Sequence, residues 1–427
     1  MQHTSVHAVE HLLYFTLLQL IVIVGAARLF GWLARRIGQP RAVGEIFAGL
    51  LLGPSLFAAL APEAFAYVFK STDSLTVSII SQLGLILLML HVGMEFEFGV
   101  MKERASRTAT AFVALAGIAA PFALGGAIGY VSAPTLAPGI EPVGYVLFCG
   151  VALSITALPV LGRILLEFDL ARTRLGTITI SAAAANDVAG WILLATISAA
   201  VTGGLTLAGV ATRLAALGAF LLLAFFVLRP LAHKLLDRAG GAAEPLTGNA
   251  LAIVLMFAFA SAIATYLLGI FAVFGGFLVG VLLHDRRAFV AAWRERVAPL
   301  VNTLLLPVFF TFTGLRTNVH GLASAELWAW CAGFIALAHL GKYGGCYLGA
   351  RLAGVDRDEA RAMAIMMNTR GLMELVVLNV GYDLGVLPQN VFTMLVLMAL
   401  LTTVTTAPLL RLWLPRVGHV IPAQREA

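Results

Sequence analysis

Charge is what this sequence has least of. Only 12% of its 427 residues are Asp, Glu, Lys or Arg, while 60% are hydrophobic. A water-soluble globular chain carries about a quarter charged residues and under half apolar ones, so that class is excluded. Cysteine is nearly absent as well. Cys149, Cys331 and Cys346 show neither ligand spacing nor a pairing pattern, and they read as small buried apolar residues. No nucleotide-binding glycine loop, zinc-type His/Glu spacing or nucleophile elbow occurs, which leaves no handle for a cofactor or for enzyme chemistry. The opening MQHTSVHAVEH lacks the basic region of a signal peptide, and the apolar stretch after it is too long for one. The net charge of +6 is scattered over short loops, so it offers no patch for nucleic acid.

What is present is a series of apolar segments. A helical span takes about 20 residues, and segments of that kind lie at 12–34, 42–60, 75–96, 108–130, 143–165, 175–201, 208–229, 247–267, 269–284, 299–315, 325–350, 360–382 and 390–414. The expected fold class is therefore an all-α polytopic membrane protein with about thirteen transmembrane helices, in a membrane domain over 1–415 with a short tail at 416–427. Basic residues fix the orientation. With the amino terminus outside, every odd loop is basic, from Arg35, Arg36 and Arg41 through Lys102, Arg104 and Arg107 to Arg351, Arg357 and Arg361, and the tail carries Arg416 and Arg425. The even side holds only Lys70, Arg213 and Arg316, while Arg28, Lys342 and Arg370 fall inside spans. The carboxy terminus is then cytoplasmic.

The segments repeat. Phe47-Ala-Gly49-Leu-Leu-Leu-Gly53 in the second recurs as Phe274-Gly-Gly276-Phe-Leu-Val-Gly280 in the ninth, and Gly93 ending the third matches Gly314 ending the tenth. The offsets, 227 from Gly49 to Gly276 and 221 from Gly93 to Gly314, are nearly equal. Small-xxx-small spacings also serve simple close packing, but two matches in one order point to a duplicated unit. Matching members are seven segments apart, an odd number, so the units have opposite orientation, as in secondary transporters. Repeat one is expected at 12–201, a linker helix at 208–229 and repeat two at 247–414.

A charged side chain at the centre of a span costs about 2.5–3.5 kcal/mol on insertion scales, so each one needs a reason. Asp187, in Ala185-Asn186-Asp187-Val-Ala-Gly190, lies about twelve residues into its span, near the bilayer middle. Lys342 reaches a similar depth from the other direction. The two could form a structural pair, or Asp187 could alternate between a cation and a proton. Two spans also look broken at equivalent places in the two repeats. The fifth carries Ser154-Ile-Thr156-Ala-Leu-Pro159, where Pro159 removes the donor for the Ile155 carbonyl. The twelfth carries Asn368-Thr369-Arg370-Gly371-Leu-Met-Glu374. Matched interruptions of this kind are the best sequence pointer to a transporter's binding site. Thr156 offers a hydroxyl and loosened carbonyls to a hard cation, and Asn186 could ligate or orient Asp187. Arg370 is expected at the negative end of the half-helix before it and Glu374 in the first turn of the half-helix after it. His339 and His91 read as hydrogen-bonded packing residues, Glu45 as interfacial at a cytoplasmic entry, and Glu95 and Glu97 as a charged cytoplasmic rim.

With these residues in place, the sequence resembles a monovalent cation:proton antiporter of the second cation:proton antiporter family, close to plant-type exchangers and their bacterial relatives. The resemblance runs along nearly the whole chain. It rests on Gly44-Glu45-Ile-Phe-Ala-Gly49-Leu-Leu-Leu-Gly53-Pro54, Ala157-Leu-Pro159-Val160, Asn186-Asp187, Phe309-Phe310-Thr-Phe-Thr-Gly314-Leu315, Gly341-Lys342 and Asn368-Thr369-Arg370-Gly371. It implies crossed discontinuous helices and a homodimer whose protomers each have a dimerisation domain and a six-helix core. It makes Asp187 the ion- and proton-binding carboxylate, Lys342 its basic partner and Thr156 the unwound-helix position. Asn186 before the aspartate implies one proton per cation, whereas many electroneutral relatives have arginine in place of Lys342.

The expected function is exchange of Na⁺ or K⁺ for protons by elevator-type alternating access in a bacterial-type cytoplasmic membrane, with no cofactor. The alternatives are an ion-coupled symporter or organic-anion carrier on the same scaffold, a gated channel, and an intramembrane enzyme, the last disfavoured by the missing nucleophile and metal patterns.

Overall fold

The structure, a computed structural model, describes residues 6–70, 75–95, 104–170, 173–202, 207–240, 246–268 and 271–419. Glu97, Lys102, Arg172, Arg425 and the tail from 420 onward lie outside the described residues. Among the described residues there is no strand. The main helices are α1 (Val6–Arg36), α2 (Arg41–Leu52), α3 (Leu75–Met94), α4 (Arg104–Leu136), α5 (Pro142–Ser154) and α6 (Leu158–Glu167). They continue with α7 (Arg174–Thr202), α8 (Leu207–Leu223), α9 (Arg229–Ala239), α10 (Gly248–Leu267), α11 (Ala272–Leu283) and α12 (Arg287–Arg296). The chain ends through α13 (Leu306–Leu315), α14 (Ala325–Leu352), α15 (Arg357–Met367), α16 (Leu372–Asp383) and α17 (Gln389–Trp413).

Helix starts follow local chemistry. Glu141 accepts from the Val143 and Gly144 amides at 3.1 and 2.7 Å ahead of α5, with Pro142 in the first turn where its missing N–H costs nothing. Thr247, Ser324 and Asp356 cap α10, α14 and α15 in the same way.

All thirteen apolar segments contain helix, but by length and hydropathy eight helices among the described residues qualify as membrane spans, and the bent α15–α16 pair makes a ninth. Most of the difference comes from short helices. α2 and α11 have 12 residues each, and α5 has 13 before the chain turns extended at Ile155.

The chain divides into two compact units, 1–29 with 48–97 and 198–316, and 30–47 with 98–197 and 317–427. In the first, the two Phe-x-Gly-x-x-x-Gly segments pack equivalently. A Cβ on Gly53 would stand 2.2 Å from the Gly314 carbonyl oxygen, and one on Gly280 2.2 Å from the Leu90 carbonyl oxygen and 2.8 Å from Gly93 Cα. Only glycine permits backbones this close. The second unit holds α4 to α6, most of α7, and α14 to α17, around a core in which Val160, Leu161, Ile164, Met363 and Met366 are buried.

Candidate functional site

Both interruptions expected from the sequence are present, and both lie in the second unit. Between α5 and α6, Ile155 is extended (φ −73°, ψ 147°). Between α15 and α16 the chain bends by 46°. Gly371 there has φ +152°, a conformation side-chain-bearing residues rarely adopt, and a Cβ on it would stand 3.1 Å from Val160 Cγ2. The two breaks touch. The Ala157 amide donates to the Thr369 carbonyl at 2.9 Å, and the Thr156 hydroxyl to the Met367 carbonyl at 3.4 Å. Thr403 of α17 fastens the second break, accepting from the Arg370 amide at 3.0 Å and donating to the Arg370 carbonyl at 2.8 Å. Non-helical backbone buried away from water needs partners of this kind.

Pro159 directly follows the break. It is the second residue of α6, after the non-helical 155–157 stretch, where a proline can begin a helix without losing a hydrogen bond. The interruption is therefore centred on Thr156, three residues before the proline that announces it.

Arg370 departs from expectation. Its guanidinium does not serve the half-helix before it. It reaches the other broken span, donating to the Ala152 carbonyl at 2.6 Å and to the Leu153 carbonyl, and pairs with Glu374 Oε2 at 3.1 Å. The last carbonyls of a helix have no intrahelical partner and carry the negative end of its dipole. Here they belong to α5, and Lys342 takes the next one. Its Nζ donates to Ser154 O at 2.5 Å and to Gly117 O at 2.8 Å. With the Asn186 amide oriented to satisfy both neighbours, its nitrogen donates to Ala114 O at 2.9 Å and its oxygen accepts from Lys342 Nζ at 3.3 Å. Lys342 and Asp187 form no ion pair, contrary to the structural pairing considered from the sequence; Asn186 takes that place. Glu374 stands in the first turn of α16 as expected.

Asp187 is completely buried, and neither carboxylate oxygen has a hydrogen-bond partner among the described residues. The Leu158 amide at the start of α6 is directed toward it, and Lys342 is a charged neighbour. A bare buried carboxylate costs several kcal/mol unless something neutralises it. The donor set fits a hard monovalent cation or a proton, and no cluster of three or more His, Cys, Asp or Glu side chains able to hold a resident metal occurs among the described residues.

The carbonyls of Ala114, Gly117, Ala152, Leu153, Ser154 and Met367 were invisible to a reading based on side chains. His339 behaves as expected, bonding Ile335 O at 2.9 Å and Thr405 Oγ1 at 3.2 Å, and Glu95 accepts from Arg294 Nε at 2.9 Å. The three cysteines are buried and free. Glu45 is only 4% exposed.

Interrupted helices that meet through their breaks, with buried charges of both signs around them, are an arrangement typical of secondary transporter folds. Residues 23–412 match the family model described as the transmembrane sodium/hydrogen exchanger. Over 95% of its length the chain is 37% identical to the Na(+)/H(+) antiporter NhaS4 of Synechocystis, covering 99% of that protein. It is also 37% identical to cation/H(+) antiporter 17 of Arabidopsis thaliana over 94% of its length, but spans only 48% of that protein. It is 30% identical to K(+)/H(+) antiporter 1 of Saccharomyces cerevisiae over 88%, spanning 44% of it. The chain thus spans about half the length of the plant and yeast relatives. Its fold matches the solved sodium proton antiporter MjNhaP1 of Methanocaldococcus jannaschii with a TM-score of 0.66 at 15% identity, covering 95% of this chain and 99% of that one. The chain belongs to the sodium/hydrogen exchanger family, whose members are transporters rather than enzymes.

Proposed function

We propose that the chain exchanges a monovalent cation, Na⁺ or K⁺, for protons through Asp187, which takes one or the other but not both. The observation that carries this reading is the unsatisfied carboxylate itself, fully buried beside a helix break. Thr156 and the loosened carbonyls around it supply the remaining oxygens for a dehydrated cation. Lys342 and Arg370 neutralise the end of α5, and Asn186 keeps the Lys342 ammonium off Asp187. Alternating access follows an elevator pattern, in which the six-span unit carrying Asp187 moves with its cargo. Only the neutralised site crosses readily, because a bare carboxylate in low dielectric is costly.

The reciprocal glycine contacts support the two-repeat reading, with repeats at 12–201 and 247–414 joined by 208–229. The basic loops support about thirteen crossings, an outside amino terminus, a cytoplasmic carboxy terminus and residence in a cytoplasmic membrane. A homodimer is part of the proposal, and mass photometry in lipid discs would check it.

In proteoliposomes with a pH-sensitive dye, the wild type should collapse a pH gradient on addition of Na⁺ or K⁺. Asp187→Asn should fall to the rate of empty vesicles while eluting as a folded protein. Retained exchange by that variant would overturn the proposal.

A further inference from the structure

A cation bound for Asp187 has to shed water in an apolar interior, and an oxygen ligand along the approach eases that step. Glu45 stands where such a ligand is needed. It lies in the second turn of α2, and its side chain is 5% exposed. Ala42 and Ile46, three residues before it and one after, mark the face of α2 that is turned inward. Ala42 belongs to the core cluster with Ala157, Val160 and Met363, and Ile46 Cδ1 stands 3.7 Å from where a Cβ on Gly371 would lie. Residues 42, 45 and 46 share one side of a helix, so Glu45 lies on the face of α2 that Ile46 turns toward the Gly371 break. α2 begins at Arg41 in a basic loop and meets the level of the Gly371 break within five residues, about 8 Å of rise.

The ion pair here is asymmetric. Arg41 Nε bonds Glu45 Oε1 at 3.0 Å, but the Arg41 side chain is 31% exposed while the carboxylate is buried. An acid placed four residues after its base is the weaker order for a helix-stabilising pair, and an arginine in a first turn opposes the helix dipole. The pair is thus poorly suited to holding α2 together. It is suited to exchange, with a movable cation at the outer side of a fixed carboxylate.

We propose that Glu45 receives the cation entering from the loop side of α2 before it reaches Asp187, and that the ion displaces Arg41 from its Oε1. This rests on the antiport reading given above. Glu45 would set the affinity seen from the cytoplasmic side and leave the opposite side untouched.

Everted and right-side-out membrane vesicles separate the two faces. Glu45→Gln should raise the apparent KM for Na⁺ or K⁺ at the cytoplasmic face at least fivefold, with the maximal rate within twofold of wild type and the KM at the other face unchanged. Arg41→Gln should lower the cytoplasmic KM, and this variant carries the test if Glu45→Gln does not fold. A cytoplasmic KM that stays at the wild-type value in both variants overturns the inference. So does an equal KM rise at both faces, or a fallen maximal rate with unchanged KM, since a merely structural role would give either. Wild type and Asp187→Asn run alongside. Exchange present in the first and absent in the second keeps the antiport reading whatever Glu45 does, whereas exchange absent in both ends both proposals.

Discussion

Three carbonyls at the end of α5 explain two of the most expensive residues in the chain. Ala152, Leu153 and Ser154 would otherwise be orphaned inside the protein, and Arg370 and Lys342 are the cations that satisfy them. Arg370 has a second obligation, because Glu374 is as deeply buried and its Oε2 bonds the guanidinium. Removing one member of a buried pair costs about 3–5 kcal/mol, since the other is left charged and unpaired. Arg370→Ala should therefore lower stability by about that amount in unfolding from detergent. Glu374→Gln should cost less, about 1–3 kcal/mol, because the guanidinium keeps both carbonyls. The double variant Arg370→Met with Glu374→Leu should recover part of the loss of Arg370→Ala. Thermal melts that rank Glu374→Gln as the more damaging single change would contradict this division of roles.

At the scale of helices, the close contacts of the first unit and the caps of the second make separate predictions. A Cβ at Gly53 or Gly280 meets a backbone carbonyl oxygen at 2.2 Å, and backbone cannot swing aside like a side chain. Gly53→Ala and Gly280→Ala should each lose about 1–3 kcal/mol, the usual cost of overpacking. Gly218, within α8 and with nothing within 4 Å of its added Cβ, should gain a few tenths of a kcal/mol on replacement by alanine, through helix propensity. Equal effects at the two kinds of site would remove the case for helix-to-helix contact as the reason for these glycines. At the start of α15, the Asp358 and Arg357 amides hydrogen-bond Asp356, hold its carboxyl below the usual carboxylate range, and make it a charged cap. A depressed folded-state value means stability that is present above the unfolded value, about 3.9, and is lost as pH falls through the folded one. Asp356→Asn keeps an acceptor but no charge. It should melt below wild type at pH 6, and the gap should close as the pH drops below about 4. A gap independent of pH would show that charge contributes nothing at this cap.

Across the whole chain, the sequence disclosed what is written in side chains and little of what is written in backbone. Thirteen apolar segments, the two interruptions and the four mid-span ionisable residues were readable from hydropathy and from the cost of charge. The partner of Arg370 was not, because a carbonyl in a distant helix leaves no trace in residue type. The first break falls inside the Ser154–Pro159 stretch read from the sequence, and Pro159 stands in the first turn of the helix that follows it. Lys342 was assigned to Asp187 by its depth and by the family resemblance, whereas three oxygens, those of Gly117, Ser154 and Asn186, receive its Nζ. That substitution bears on the charge moved per cycle. An ammonium has three donors, and here each has an acceptor other than Asp187, so the lysine has no need to shed a proton when a cation arrives. With the lysine keeping its proton, Na⁺, K⁺ and H⁺ each change the charge of the buried site by the same single unit. One cation should be exchanged for one proton with no net charge crossing. A Na⁺ jump over proteoliposomes on a solid-supported membrane should give no steady current while the dye reports proton movement. A sustained current in the direction of excess protons would mean that a second proton travels, and Lys342→Gln abolishing that current would identify the lysine as its carrier.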